Sequence, residues 1–202
     1  MKKSIKYIFV GILALIFGIL TWAVINNKTA AFDDAVYNLV TFVKNDTVTN
    51  IYKFITFFGS TKFIVILCLL FLLVFWKQKK GFIISVCLIG STIINNVIKL
   101  LVRRERPLDL MMIKESTFSF PSGHTMASVS MYGLLIYLVW KSKLNKTSKI
   151  ILTILLGLLT LAIASSRIYL GAHFATDIIG AIIMSSIWLI LFISYIEHKK
   201  FI

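Results

Sequence analysis

The sequence predicts an all-α, polytopic membrane protein, and three observations carry that expectation. Of 202 residues, 58% are hydrophobic and only 15% are charged, against about 45–50% and about 25% in soluble domains. The apolar residues gather into runs near the ~20 residues needed to cross a bilayer. The basic residues cluster between those runs. A net charge of +14 on so apolar a chain does not describe a soluble nucleic-acid binder. The apolar content excludes disorder, and two prolines and ten glycines exclude collagen-like or linker-rich chains. One domain over 1–202 is expected.

The uncharged stretches are Tyr7–Asn27, Phe63–Trp76, Gly81–Ile98, Thr125–Trp140, Ile150–Ser166 and Ile178–Ile196. With their flanks they predict six transmembrane helices at about 5–26, 60–77, 81–101, 123–141, 149–166 and 173–197. Lys62, Lys99, His124 and Asp177 supply the flanking turns, because ionisable groups cost far less at a helix end than at the bilayer centre. The first run has a basic start but exceeds the 7–15 apolar residues of a signal peptide, so it reads as an uncleaved helix.

Between the first two helices lies Ala30–Thr61, only half apolar. Ala31, Ala35, Leu39, Phe42 and Val43 recur at helical spacing, as do Ile51, Phe54, Ile55 and Phe58. Two short amphipathic helices on the outer membrane surface are expected, with Asp33 or Asp34 and Asp46 near their starts. A packed extracellular loop is the alternative. Trp22, Trp76, Trp140 and Trp188 read as interfacial or lipid-facing aromatics. Cys68 and Cys87 sit in apolar runs and suggest neither disulfide nor zinc.

Short lysine clusters set the orientation. Lys2, Lys3 and Lys6, then Lys77, Lys79 and Lys80, then Lys141, Lys143, Lys146 and Lys149, and finally Lys199 and Lys200 fall on one side. Both termini are then cytoplasmic. The loops after helices one, three and five face outward, and two of them carry most of the polar residues that could do chemistry.

The first polar cluster runs from Lys99 to Pro107 and ends an apolar helix. Lys99 and Arg106 are fixed cations suited to an anion such as phosphate. Arg103, Arg104 and Glu105, with Asp109, read as a solvated charge run, headgroup recognition being the alternative. The second cluster is Pro121-Ser122-Gly123-His124 before a long apolar helix. Ser122 suits an N-cap, the helix start offers free N–H groups to an anion, and Gly123 permits close approach. His124 sits where it could move a proton there. The third runs from Ser166 and Arg167 to His173 and Asp177. The last two are four apart and touch if they share a helical face. A carboxylate so placed fixes the imidazole tautomer, as an activated histidine nucleophile requires. Together these residues describe phosphoryl transfer by positioning and charge stabilisation.

Lys-x6-Arg-Pro, Pro-Ser-Gly-His and Ser-Arg-x5-His-x3-Asp stand complete and in order at Lys99–Pro107, Pro121–His124 and Ser166–Asp177. In these motifs the chain resembles the type 2 phosphatidic acid phosphatase family. The resemblance implies a membrane lipid phosphatase with its site at the outer face. It implies that His173 attacks phosphorus, that Asp177 orients it, and that His124 protonates the leaving oxygen. It further implies that Lys99, Arg106, Ser122, Gly123 and Arg167 hold the phosphoryl oxygens. No metal or other cofactor is expected, and the expected partners are the bilayer and a lipid phosphate. Undecaprenyl pyrophosphate, with a role in cell-wall biogenesis, and phosphatidylglycerol phosphate are the leading substrates, with phosphatidic acid third. A lipid-phosphate transporter or flippase and a vanadate-dependent peroxidase are the competing classes.

Overall fold

The computed structural model describes residues 3–75 and 79–201. Among these residues the chain is helical and has no strand. Eight α-helices follow one another: α1 (Lys3–Ile25), α2 (Ala30–Thr41), α3 (Asp46–Phe57), α4 (Thr61–Val74), α5 (Lys79–Val102), α6 (Gly123–Lys141), α7 (Lys146–Tyr169) and α8 (Ala175–His198). Four of their starts are fixed locally. Asn45, Ser60, Ser122 and Asn145 each accept a backbone N–H three residues on, at Val48, Phe63, Thr125 and Ser148. Each cap satisfies one of the donors a helix start leaves orphaned.

Helices α1, α5, α7 and α8 are long and apolar enough to cross a membrane; α3 and α4, bent by 42° at their junction, pass only as a pair. The described residues thus hold four such spans, or five with the bent pair, rather than six clear ones. The stretch expected at 60–77 yields only the 14 residues of α4. The stretch at 123–141 is helical as α6, but its first half is too polar to count. The reason is position: α6 packs against α5, α7 and α8. Thr125, Ser128 and Ser130 are therefore buried among helices, and Ser130 donates to Ser91 of α5 at 2.8 Å. The sequence expectations for Lys2, Trp76 and Lys77, and for the side chains of Lys3, Lys79 and Lys80, fall outside the described residues.

The core joins Ile84, Cys87 and Leu88 of α5 to Met131 and Leu134 of α6, Ile163 of α7 and Ile196 of α8. Around it α1 lies on α8, α4 on α5, and α3 on α7. The outer surface is largely apolar, with Leu15 65%, Leu73 74% and Leu101 77% exposed. Helices apolar on every side need lipid around them, so this is a membrane protein.

Both short helices expected between α1 and α4 exist, and α2 also packs a second apolar face against the bundle. The expected stripe, through Leu39 of α2 and on to Phe42 and Val43 just beyond its end, is exposed. Val36, Tyr37 and Val40 pack inward against Ala164, Ile168, Ala175 and Ile178, and Asp33 goes in with them, 2% exposed. In α3, Tyr52 stacks on Tyr169 with centroids 4.4 Å apart. Trp188 also departs from expectation. It sits between α8 and α5, donating its indole N–H to the Cys87 carbonyl at 2.9 Å.

The bundle has two chemically different ends. At one, Glu197 of α8 meets Lys6 at 3.8 Å and Lys141 at 3.5 Å. At the other converge the last turns of α5 and α7 and the first turns of α6 and α8.

Candidate active site

Each motif reaches this second end on a helix terminus. Lys99 lies one turn before the end of α5, 6% exposed. Its ammonium donates to the Phe118 carbonyl and, at 3.3 Å, to that of Ser119. Arg106, in the loop beyond α5, donates to Thr117 O at 2.6 Å and Ala172 O at 2.7 Å. Burial lowers the Arg106 pKa, with Glu115 and Asp177 opposing the shift. Ser122 caps α6, its own N–H donating to the Asp177 carbonyl at 3.2 Å. Gly123 and His124 follow, with Asn95 Oδ1 so near Gly123 that a Cβ there would lie 3.2 Å from it. Arg167, in the last turn of α7 and 1% exposed, donates to Thr56 Oγ1 at 2.9 Å and pairs with Glu115. Its buried Nε has no partner among the described residues.

His173 and Asp177 do touch, but not as neighbours on one helix face. His173 precedes α8 by two residues. Asp177 is the third residue of α8, and its Oδ2 accepts the Phe174 N–H at 2.9 Å, capping the helix. That cap turns the carboxylate back toward the loop, where Oδ2 lies 3.3 Å from His173 Nδ1. The chain reaches α8 through Gly171, at φ +64°, with the Leu110 carbonyl where a Cβ would stand. Only glycine adopts that geometry without strain. The imidazole's other nitrogen, Nε2, lies 3.3 Å from Arg106 Nη1. A guanidinium only donates. Nε2 therefore presents its lone pair, and the proton sits on Nδ1 facing Asp177. Burial pushes the His173 pKa down to about 4, with Asp177 opposing and Arg167 and Arg106 assisting.

A cavity of about 310 Å³ gathers Lys99, Arg106, Gly123, His124 and His173 on one wall system. Ser122, Arg167 and Asp177 do not line it but adjoin its wall, as the neighbour of Gly123 and the partners of Glu115 and His173. A second cavity, about 590 Å³, shares Lys99, Arg106, Glu115 and Thr117 and adds the apolar Leu100 and Leu108.

Four participants escaped the sequence reading. Glu115 pairs with Arg167 and lies 3.7 Å from Arg106. Burial alone would raise its pKa, but Arg167 and Arg106 outweigh burial and hold the carboxyl below its usual range. Ser119 donates to Asp177 Oδ2. Asp33 and Arg104 form a buried ion pair at 2.7 Å, and Arg104 forms another with Asp177 at 2.7 Å. Arg104 is therefore no solvated loop residue. One signal existed: Asp33 shares the helical spacing of Val36, Tyr37 and Val40, a carboxylate on an apolar face.

An apolar helical bundle carrying a cationic, histidine-containing pocket at one end is built as a membrane-bound phosphatase. The chain belongs to the PAP2 superfamily, whose family model matches residues 80–201. It is 29% identical over 173 residues to phosphatidylglycerophosphatase B of Bacillus subtilis (strain 168), covering 83% of this chain and 85% of that one. A crystal structure of a transmembrane PAP2-type phosphatidylglycerolphosphate phosphatase from Bacillus subtilis superposes with TM-score 0.85 at 26% identity. That match covers 94% of this chain and 96% of the other. The fold is shared with LpxE of Aquifex aeolicus, TM-score 0.66 at 21% identity over 80% of this chain and 94% of that one. The protein is a lipid phosphatase of this superfamily.

Proposed function

We propose that the protein removes the terminal phosphate of a membrane lipid through a phosphohistidine at His173, phosphatidylglycerol phosphate being the first candidate substrate. The observation that carries the reading is the single cavity joining Lys99, Arg106, His124 and His173 from all three motifs. His173 Nε2 attacks phosphorus as the phosphorus–oxygen bond to the lipid breaks. Asp177 holds the Nδ1 proton and stabilises the charge that develops on the ring. His124 gives the departing lipid oxygen its proton, then takes one from the water that hydrolyses the phosphohistidine. Lys99, Arg106, Arg167 and the N–H groups at the start of α6, with Ser122 and Gly123, spread the charge of the phosphoryl oxygens. Glu115 sits in the cationic cluster that the substrate's phosphate would enter. The relatives' names support the glycerophosphate substrate. Undecaprenyl pyrophosphate remains the second, because these residues read phosphate and not the group behind it.

Six membrane crossings, both termini cytoplasmic and a site opening at the outer face belong to the same proposal. The lysines at the Glu197 end of the bundle support that orientation. Reporter fusions in the loop at 103–120 should report the outside; a cytoplasmic signal would reverse it.

The test of function is phosphate release by detergent-purified protein with EDTA present. Phosphatidylglycerol phosphate, undecaprenyl pyrophosphate and phosphatidic acid are offered side by side, with His173→Ala as control. Release that needs His173, fastest from phosphatidylglycerol phosphate, is the expected result. An acid-labile phosphoryl group trapped on the wild type and missing from the variant would identify the intermediate. Undiminished release by folded His173→Ala would remove His173 as nucleophile.

A further inference from the structure

We propose that Arg104 and Asp33 are positioning residues for the His173–Asp177 pair, and that α2 takes part in the reaction through them. The inference rests on the reading of His173 as the nucleophile.

The two oxygens of Asp177 are occupied differently. Oδ2 takes the Phe174 N–H, the Ser119 hydroxyl and His173 Nδ1. Oδ1 takes Arg104 Nη1 at 2.7 Å. The same Arg104 nitrogen donates to Thr176 Oγ1 at 2.8 Å. The other, Nη2, donates to Asp33 Oδ2 at 2.7 Å and to Thr29 Oγ1 at 3.3 Å. Asp33 Oδ1 in turn accepts the Thr176 backbone N–H at 2.8 Å and hydroxyl at 2.9 Å. A guanidinium is a rigid planar fork, so the carboxylates of α2 and α8 are held at one fixed separation. The fork lies on the Phe174 ring, 4.0 Å from its centroid. Arg103, just before it, has φ +51°, a conformation non-glycine residues rarely hold. That turn at the end of α5 aims the next side chain inward.

The electrostatics give each member a distinct task. An arginine held by Asp177 alone would draw the carboxylate's charge away from the imidazole. Asp33 shares the guanidinium, so Asp177 remains a strong acceptor for Nδ1–H. Arg104 prevents the carboxylate from rotating and keeps Oδ2 on the histidine. The other charged or titratable groups around His173 are Lys99 of α5, His124 of α6, Arg167 of α7, and Arg106 and Glu115 of the loop beyond α5. None of them is changed by substituting Arg104 or Asp33.

The experiment measures kcat, KM and the pH profile of kcat for Arg104→Gln, Arg104→Lys and Asp33→Asn beside the wild type. Arg104→Gln should lower kcat on the order of 10- to 100-fold, the size of one charge-assisted hydrogen bond, with KM changed less than about threefold. Its acidic limb should move to higher pH, because the full carboxylate charge now faces the ring. Asp33→Asn should lower kcat with its limb moving the opposite way or not at all. Arg104→Lys keeps the charge without the fork, so its limb should stay near the wild type's while kcat remains reduced. If Arg104→Gln does not fold, reduced kcat at unchanged KM in Arg104→Lys supports the proposal. Wild-type kcat in Arg104→Lys overturns it. A raised KM with wild-type kcat also overturns it, making Arg104 a substrate-binding residue instead. A wild type that releases no phosphate refutes the reaction; an active wild type indifferent to all three substitutions refutes only this positioning role.

Discussion

Replacing Asp177 by asparagine tests the centre of the site with the smallest possible change in shape. The carboxylate accepts from His173 Nδ1, Phe174 N, Ser119 Oγ and Arg104 Nη1. An amide has one oxygen. If that oxygen replaces Oδ2, the NH2 group confronts the Arg104 donor; if it replaces Oδ1, the NH2 group confronts three donors, and Nδ1 loses its acceptor. Either way a buried ion pair is broken, worth about 3–5 kcal/mol of stability when one partner is removed. In the reaction, losing control of the tautomer and the charge beside the developing imidazolium should cost on the order of 10²–10⁴ in kcat. That corresponds to about 3–5 kcal/mol of barrier at 1.36 kcal/mol per decade. The assay is phosphate release in detergent under saturating lipid, with a melting curve of the same preparation to show that it is folded. Activity should remain above that of His173→Ala, because the nucleophile is still present. A folded Asp177→Asn variant with kcat within about tenfold of wild type would refute the reasoning.

Two further outcomes follow from particular residues. His173, held near 4 by burial against an ordinary value near 6.5, should titrate near 4 in a ¹⁵N histidine NMR experiment, resolvable with three histidines in the chain. A midpoint near 6.5 would contradict the buried, neutral ring. Because the folded value is the lower one, the stability this group contributes is complete above about 6.5 and is lost as pH falls from there toward 4. Gly171→Ala should destabilise by more than the ~1 kcal/mol that alanine gains elsewhere, since φ is +64° and the Leu110 carbonyl occupies the Cβ position. An unchanged melting temperature would show that the turn into α8 can relax.

What the sequence disclosed and what it hid divide along a physical line. Polar residues that interrupt apolar runs are conspicuous, so Lys99, His124, Arg167 and Asp177 could be picked out one by one. Of their supports only Asp33, a carboxylate on an apolar helical face, left a signal of its own, and its partner was not legible. Asp33 meets Thr176 across 143 positions, and Glu115 meets Arg167 across 52. No local pattern encodes a pairing of that span. The inward packing of α2 was hidden for a different reason. Both of its faces carry apolar residues, one facing outward and one facing protein, and hydrophobic spacing does not distinguish the two. Helix α6 was legible as a helix over 123–141, but not the reason its serines and threonines are tolerated, which is burial against three other helices.

The shortness of α4 has a consequence for the surrounding lipid. Fourteen residues rise about 21 Å, some 9 Å less than a typical hydrocarbon core of about 30 Å. On the proposed six-crossing reading, lipid beside α4 would meet a hydrophobic mismatch, relieved by local thinning or by the bent α3 dipping inward. Either response would draw headgroups on that flank toward Thr61, itself on the wall of the cavity that holds His173. On that reading the protein would shape the bilayer that delivers its substrate, and membrane thickness would become a variable of its turnover.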